Sequence, residues 1–146
     1  MKTFKKILIE MNQSNENAKI EQFASKAHEE WRKSFDPVYA KTGITSQQII
    51  KSNSDGSEGD INVPFNKLHP DWKKENLNAG HAALEAVKKY PNDIEGSAEH
   101  IHNKWMERNP KESWNASQHV PYSELPEDEK EKDRVQARTM KSIITN

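Results

Sequence analysis

The chain has 146 residues, with 22 Lys and Arg against 23 Asp and Glu for a net charge of -1, and only 32% of it is hydrophobic. That length supports one compact domain or two small halves with a modest core, and the balanced charge argues against a nucleic-acid binder that works by neutralising phosphates, though it leaves room for a local basic pocket. The absence of cysteine excludes disulfides, thiol catalysis and cysteine-ligated zinc, while the apolar run Ile7 to Ile9 is too short for a signal-peptide core or a membrane span, which predicts a cytoplasmic protein with no membrane partner.

In chain order, residues 1–13 read as a flexible N-terminus. A first helix is predicted to begin near Ser14 or Asn15, either of which can cap free amides. Ile20, Phe23, Ala24, Ala27 and Trp31 then recur at helical spacing. Asp36-Pro37 ends the helix, because a proline disfavours helical geometry in the residue before it. Gly43 marks a turn, Ile44 to Ile50 a short helix capped by Thr45 or Ser46, and residues 51–60, KSNSDGSEGD, a flexible loop. The loop has the composition of a calcium site, but Lys51 stands where the first acidic ligand belongs and no bidentate Glu closes it. Calcium is therefore not expected.

Asn62 to Leu68 is an extended approach to a second helix, which starts at Pro70, carries Trp72, Ala79, Ala83, Ala86, Val87 and Tyr90 on one face, and stops at Pro91. A third helix follows Asn92 or Asp93 with Ile94, Ala98, Ile101 and Trp105 inward, Gly96 weakening its first turn. Asn109-Pro110 ends it. The fourth begins around Pro126 with Glu127, Asp128 and Glu129 where carboxylates favour the helix dipole, and Val135, Met140, Ile143 and Ile144 supply its core contact.

Two stretches share a pattern. His28-x-x-Trp31 is followed by Val63-Pro64-Phe65-x-x-Leu68, and His102-x-x-Trp105 by Val120-Pro121-Tyr122-x-x-Leu125. The proline segments are related by a shift of 57, from Val63 to Val120, and the tryptophans by a shift of 74, from Trp31 to Trp105, so the first connection is longer. Internal repetition predicts a mainly α fold of two pseudo-twofold-related repeats, each two helices joined by an extended connection, sharing one core. The repeats are residues 14–91 and 92–146. A cleft between such halves is a natural ligand site.

The second copy resembles the Ryr repeat, the module found in tandem in ryanodine receptors and in small or fused bacterial and phage proteins. The match rests on His102-x-x-Trp105, Trp114, His119, Pro121-Tyr122, Glu124-Leu125 and the run Glu129 to Arg134. The first copy keeps His28-x-x-Trp31, Pro64-Phe65 and Leu68 but has Asn76-Leu77 where the second has Asp133-Arg134, and Ser113 replaces the glycine the family places before Trp114. The resemblance implies a non-catalytic tandem-repeat domain with an adenine-nucleotide site between the repeats, flanked by Trp31 and Trp105. It also implies a sensor or sponge for a nucleotide second messenger, acting in the host cytoplasm if the source is a phage.

The residues themselves leave two readings of each tryptophan open, core packing or a stacking platform. Stacking contributes roughly 1 to 3 kcal/mol per base face, and a micromolar complex needs about 8, so phosphate contacts have to supply the rest. Arg32, Lys33, Lys104 and Arg108 adjoin the tryptophans and are the candidates, although each also reads as a solvated helix residue. His28 and His102, with Pro64, Phe65, Pro121 and Tyr122, read as structural positions of the motif. No histidine pair has the i,i+4 spacing of a helical zinc site, and no nucleophile motif or glycine-rich phosphate loop occurs, so neither a metal, a cofactor nor an enzyme is expected. A protein-interaction adaptor without a small-molecule ligand is the alternative.

Overall fold

The computed structural model describes residues 3–145. Its helix content, 71%, makes the chain mainly α, and the described residues form five α-helices and one two-stranded sheet. They fall into two compact units that divide between Asn78 and Ala79. No helix among the described residues is long and apolar enough to cross a membrane.

The first unit opens with α1, Phe4–Phe35, where Thr3 accepts a hydrogen bond from the Lys6 amide at 3.2 Å. The helix thus occupies the described part of the segment expected to be a flexible N-terminus and passes through Ser14 and Asn15 without a cap. The reason is composition: from Phe4 to Lys19 there is no Gly or Pro, and Lys, Glu, Gln, Leu and Met are good helix formers. Ile20, Phe23, Ala24, His28 and Arg32 are its buried residues. Phe4, Ile7, Leu8 and Met11 recur at i, i+3, i+4, i+7 on the opposite side and are exposed.

Asp36 ends α1 and starts α2, Pro37–Thr42, by accepting from the amides of Val38 and Tyr39. Gly43 closes it with φ 74°, in the left-handed region that favours glycine. The short helix expected over residues 44–50 does not form. Its intended caps are used elsewhere, since the Thr45 hydroxyl accepts from Arg32 and the Ser46 amide and hydroxyl both donate to Asp36.

Residues 51–60, expected as a loop, form most of a hairpin. β1, Ile50–Ser52, pairs antiparallel with β2, Glu58–Asp60, with Ile50 opposite Asp60 and Lys51 opposite Gly59. Asp55 accepts from the Ser57 amide at 2.9 Å and Gly56 takes φ 86°, which turns the chain. The hairpin tip is tied to the start of α3, Pro70–Lys89: Trp72 Nε1 donates to Asn53 at 3.0 Å, the Ser54 amide to Asp71 at 2.7 Å, and His69 meets Asp55 at 2.9 Å.

In the second unit, α4, Ile94–Arg108, is capped by Asp93, which accepts from the Gly96 amide at 2.9 Å. It packs against α5, Glu127–Thr145. Ala98, Ile101, Tyr122, Leu125, Ala137, Met140 and Ile143 are buried in this unit, with Ala82, Ala83, Leu84, Ala86 and Val87 of α3. The Ser97 hydroxyl donates to the Tyr90 carbonyl at 3.1 Å and fixes the end of α3 against α4.

Candidate functional site

Each unit builds its His-x-x-Trp motif in the same way. The Pro in the following segment has φ near -55° in both, -54° at Pro64 and -55° at Pro121, and a single 3-10 turn follows, Phe65–Lys67 in one and Tyr122–Glu124 in the other. The approach expected to be extended contains this turn, because proline fixes φ and the carbonyls of Pro64 and Pro121 each accept from the amide three residues on, at 2.9 Å. Leu68 and Leu125 then return to extended geometry and are buried.

The histidines hold that segment to the helix. His28 Nε2 lies 2.7 Å from the Val63 carbonyl and His102 Nε2 2.7 Å from the Val120 carbonyl. A carbonyl only accepts, so Nε2 carries a proton in both rings. His28 and His102 are both buried, and desolvation, larger than the opposing pull of the Val63 carbonyl, lowers the His28 pKa.

Each histidine also stacks on the tryptophan one turn later. The ring centroids are 5.6 Å apart for His28 and Trp31 and 5.9 Å for His102 and Trp105. Phe35 stacks on Trp31 at 5.2 Å, and His119 tilts against Trp105 at 5.9 Å. Neither tryptophan belongs to the buried core; both are half-buried. The rings are thus fixed by neighbours while part of their surface stays open.

The four cations adjacent to the tryptophans are placed differently from one another. Arg32 is turned inward: 3% exposed, it donates to Asn62, to both oxygens of Glu29 and to Thr45, and lies over the Tyr39 ring at 4.2 Å. Its reach to a phosphate is spent inside the fold. Lys33 is exposed and 3.5 Å from Glu30. Lys104 is 3.4 Å from Glu107, and Arg108 stands in the last turn of α4.

The units differ on the far side of the motif. Tyr122 is buried and donates to Glu95 at 2.7 Å, and Arg134 donates to the same carboxylate at 2.6 Å. Burial, and then the hydrogen bond to Glu95, push the Tyr122 hydroxyl up to about 12, while Arg134 and Tyr122 hold Glu95 below its ordinary value. The first unit has Phe65 and Leu77 at the corresponding positions, and with Glu21 they border a cavity of about 530 Å³.

A second cavity, of about 190 Å³, lies in the second unit against Trp105. His102, Gln118, Leu125, Glu129, Lys132, Asp133 and Gln136 complete its lining. The Asp133 side chain is 15% exposed, and its carboxylate is 3.9 Å from His102 Nδ1, beyond hydrogen-bond distance. Burial, and then the charge of Glu129, push its carboxyl up to about 7, with Lys132 pulling the other way.

Sequence reasoning missed Asn62 and Glu95, and named Asp36 only as a helix end and Asp133 only as part of the pair that the first copy lacks. Only Asp36 carries a local signal, an Asp before Pro, which is also a helix cap. No group of three or more side chains suited to a metal gathers among the described residues. No family model, no curated protein and no solved structure matches the chain.

Proposed function

We propose that the chain is a non-catalytic tandem of two Ryr-like repeats that binds an adenine-containing nucleotide, and acts as a sensor or sequestering protein for such a signal. The observation that carries the reading is the matched pair of tryptophans. Each is oriented by a buried histidine that bonds a backbone carbonyl at 2.7 Å, and each keeps part of its ring out of the core. A ring held this way is a stacking platform that loses little freedom on binding. The parallel turns at Pro64 and Pro121 support the duplication itself.

Lys33, Lys104 and Arg108 are the cations proposed to meet phosphates; Arg32 serves the fold. A thermal-shift screen with mono-, di- and cyclic nucleotides tests the proposal, because a ligand that binds only the native state raises its melting temperature. An adenine nucleotide is expected to raise it, and Trp31→Leu and Trp105→Leu each to reduce the rise while circular dichroism shows the helices intact. If no nucleotide stabilises the chain, or both folded variants bind as tightly as the parent, the reading is refuted and the adaptor alternative takes its place.

A further inference from the structure

We propose that Asp133 reads the Watson–Crick edge of a purine base seated against Trp105 in the cavity of the second unit, and that its protonation chooses the purine. This rests on the nucleotide-binding reading. It adds which base is taken and under what condition.

The cavity is small, about 190 Å³, against roughly 300 to 1,000 Å³ for pockets that enclose a whole drug-sized ligand. It admits a base and leaves sugar and phosphate outside. One wall is the indole of Trp105, and the polar wall is made by Asp133 together with Glu129, Gln118 and Gln136.

Asp133 is the member of that wall with an unspent carboxyl. Glu129 is 2.9 Å from Lys132 and receives Gln118 at 3.5 Å, whereas no hydrogen bond among the described residues reaches Asp133, whose nearest charged or titratable neighbour on α4 is His102 at 3.9 Å. With His102 Nε2 committed to Val120, Nδ1 is the ring atom that faces Asp133, too far away to hydrogen-bond it. The groups facing Asp133 are therefore His102 from α4 and Glu129 and Lys132 from α5. The first unit has Asn76 at the corresponding position, and Asn76 donates instead to the Trp72 carbonyl.

The chemistry of the two forms differs in a way a purine detects. A protonated carboxyl donates from its O–H and accepts at its carbonyl, which matches the N1 acceptor and the exocyclic amine of adenine. An ionised carboxylate only accepts, which matches the N1–H and exocyclic amine of guanine. Because the carboxyl is pushed up to about 7, both forms are populated near neutrality. Adenine is favoured on the acid side and guanine on the alkaline side.

The test uses adenosine and guanosine, whose lack of a phosphate removes its titration from the readout, and follows the tryptophan indole and backbone amide signals of the full chain by NMR at pH 6 and pH 8. Apparent affinity scales with the fraction of the competent form, so adenosine is expected to bind about tenfold more weakly at pH 8 than at pH 6, and guanosine about tenfold more tightly. Asp133→Asn, which presents a donor and an acceptor at every pH, is expected to bind adenosine equally at both and to lose guanosine. A parent whose adenosine affinity does not change with pH, or an Asp133→Asn variant that keeps the parent's slope, overturns the base-reading role while adenosine binding itself preserves the nucleotide reading. Binding of neither nucleoside nor any nucleotide at either pH overturns both.

Discussion

Replacing Asp133 by Asn is expected to stabilise the folded chain, and to do so more as the pH rises. Asp133 is 15% exposed and no hydrogen bond among the described residues reaches it. Its folded carboxyl is pushed from 3.8 up to about 7, first by burial and then by Glu129. A group whose folded pKa lies above its unfolded value gives up its proton more easily in the unfolded chain. Stability is therefore lost progressively as the pH climbs from about 4, and the loss is complete above about 7. At about 1.36 kcal/mol per tenfold, the gap amounts to about 4 kcal/mol. The amide keeps the shape of the side chain and removes the charge. Urea unfolding followed by circular dichroism at pH 4 to 8 is expected to show the variant more stable than the parent by under about 1 kcal/mol at the acid end and up to about 4 kcal/mol at the alkaline end. A difference that does not change with pH refutes the argument, because it removes the charge as the cause.

Asn62→Ala is expected to cost about 2 to 4 kcal/mol in urea unfolding, since it leaves the buried Arg32 Nε and the Gln47 carbonyl without their partner; a loss under about 0.5 kcal/mol would show that the contact is idle. Gly96→Ala, a gain in an ordinary helix, is expected to lower the melting temperature. A Cβ there meets Asp93 Oδ2 at 2.5 Å and Tyr90 Cδ1 at 2.9 Å and displaces the cap of α4; an unchanged or higher melting temperature would refute it. Because burial lowers the His28 pKa, its contribution is present above the unfolded value of 6.5 and is lost as the pH falls below it. The stability difference between the parent and His28→Gln is thus expected to shrink from pH 7.5 to pH 5.5, and a constant difference would count against it.

The helices from Pro70 onward were legible because their signals are local. Pro70 opens α3, Asp93 caps α4, and acidic residues crowd the first turn of α5. The His-x-x-Trp and Val-Pro motifs were likewise visible as a duplicated string, and each histidine is tied to the backbone beside its proline. What the string does not contain is which groups meet across distance. Ser14 and Asn15 look like caps in isolation, yet a run of strong helix formers carries α1 through them. Thr45 and Ser46 look like caps as well, but Arg32 and Asp36, ten or more residues away, take their hydroxyls. The same long-range choice turns Arg32 from a candidate phosphate ligand into a buried strut, and brings Asp133 beside His102 and Glu129 in a cavity with Trp105. Capping and turn formation involve neighbours a few residues apart, so sequence determines them. Burial depends on what the folded chain places on the other side of a side chain, and only the tertiary structure decides that.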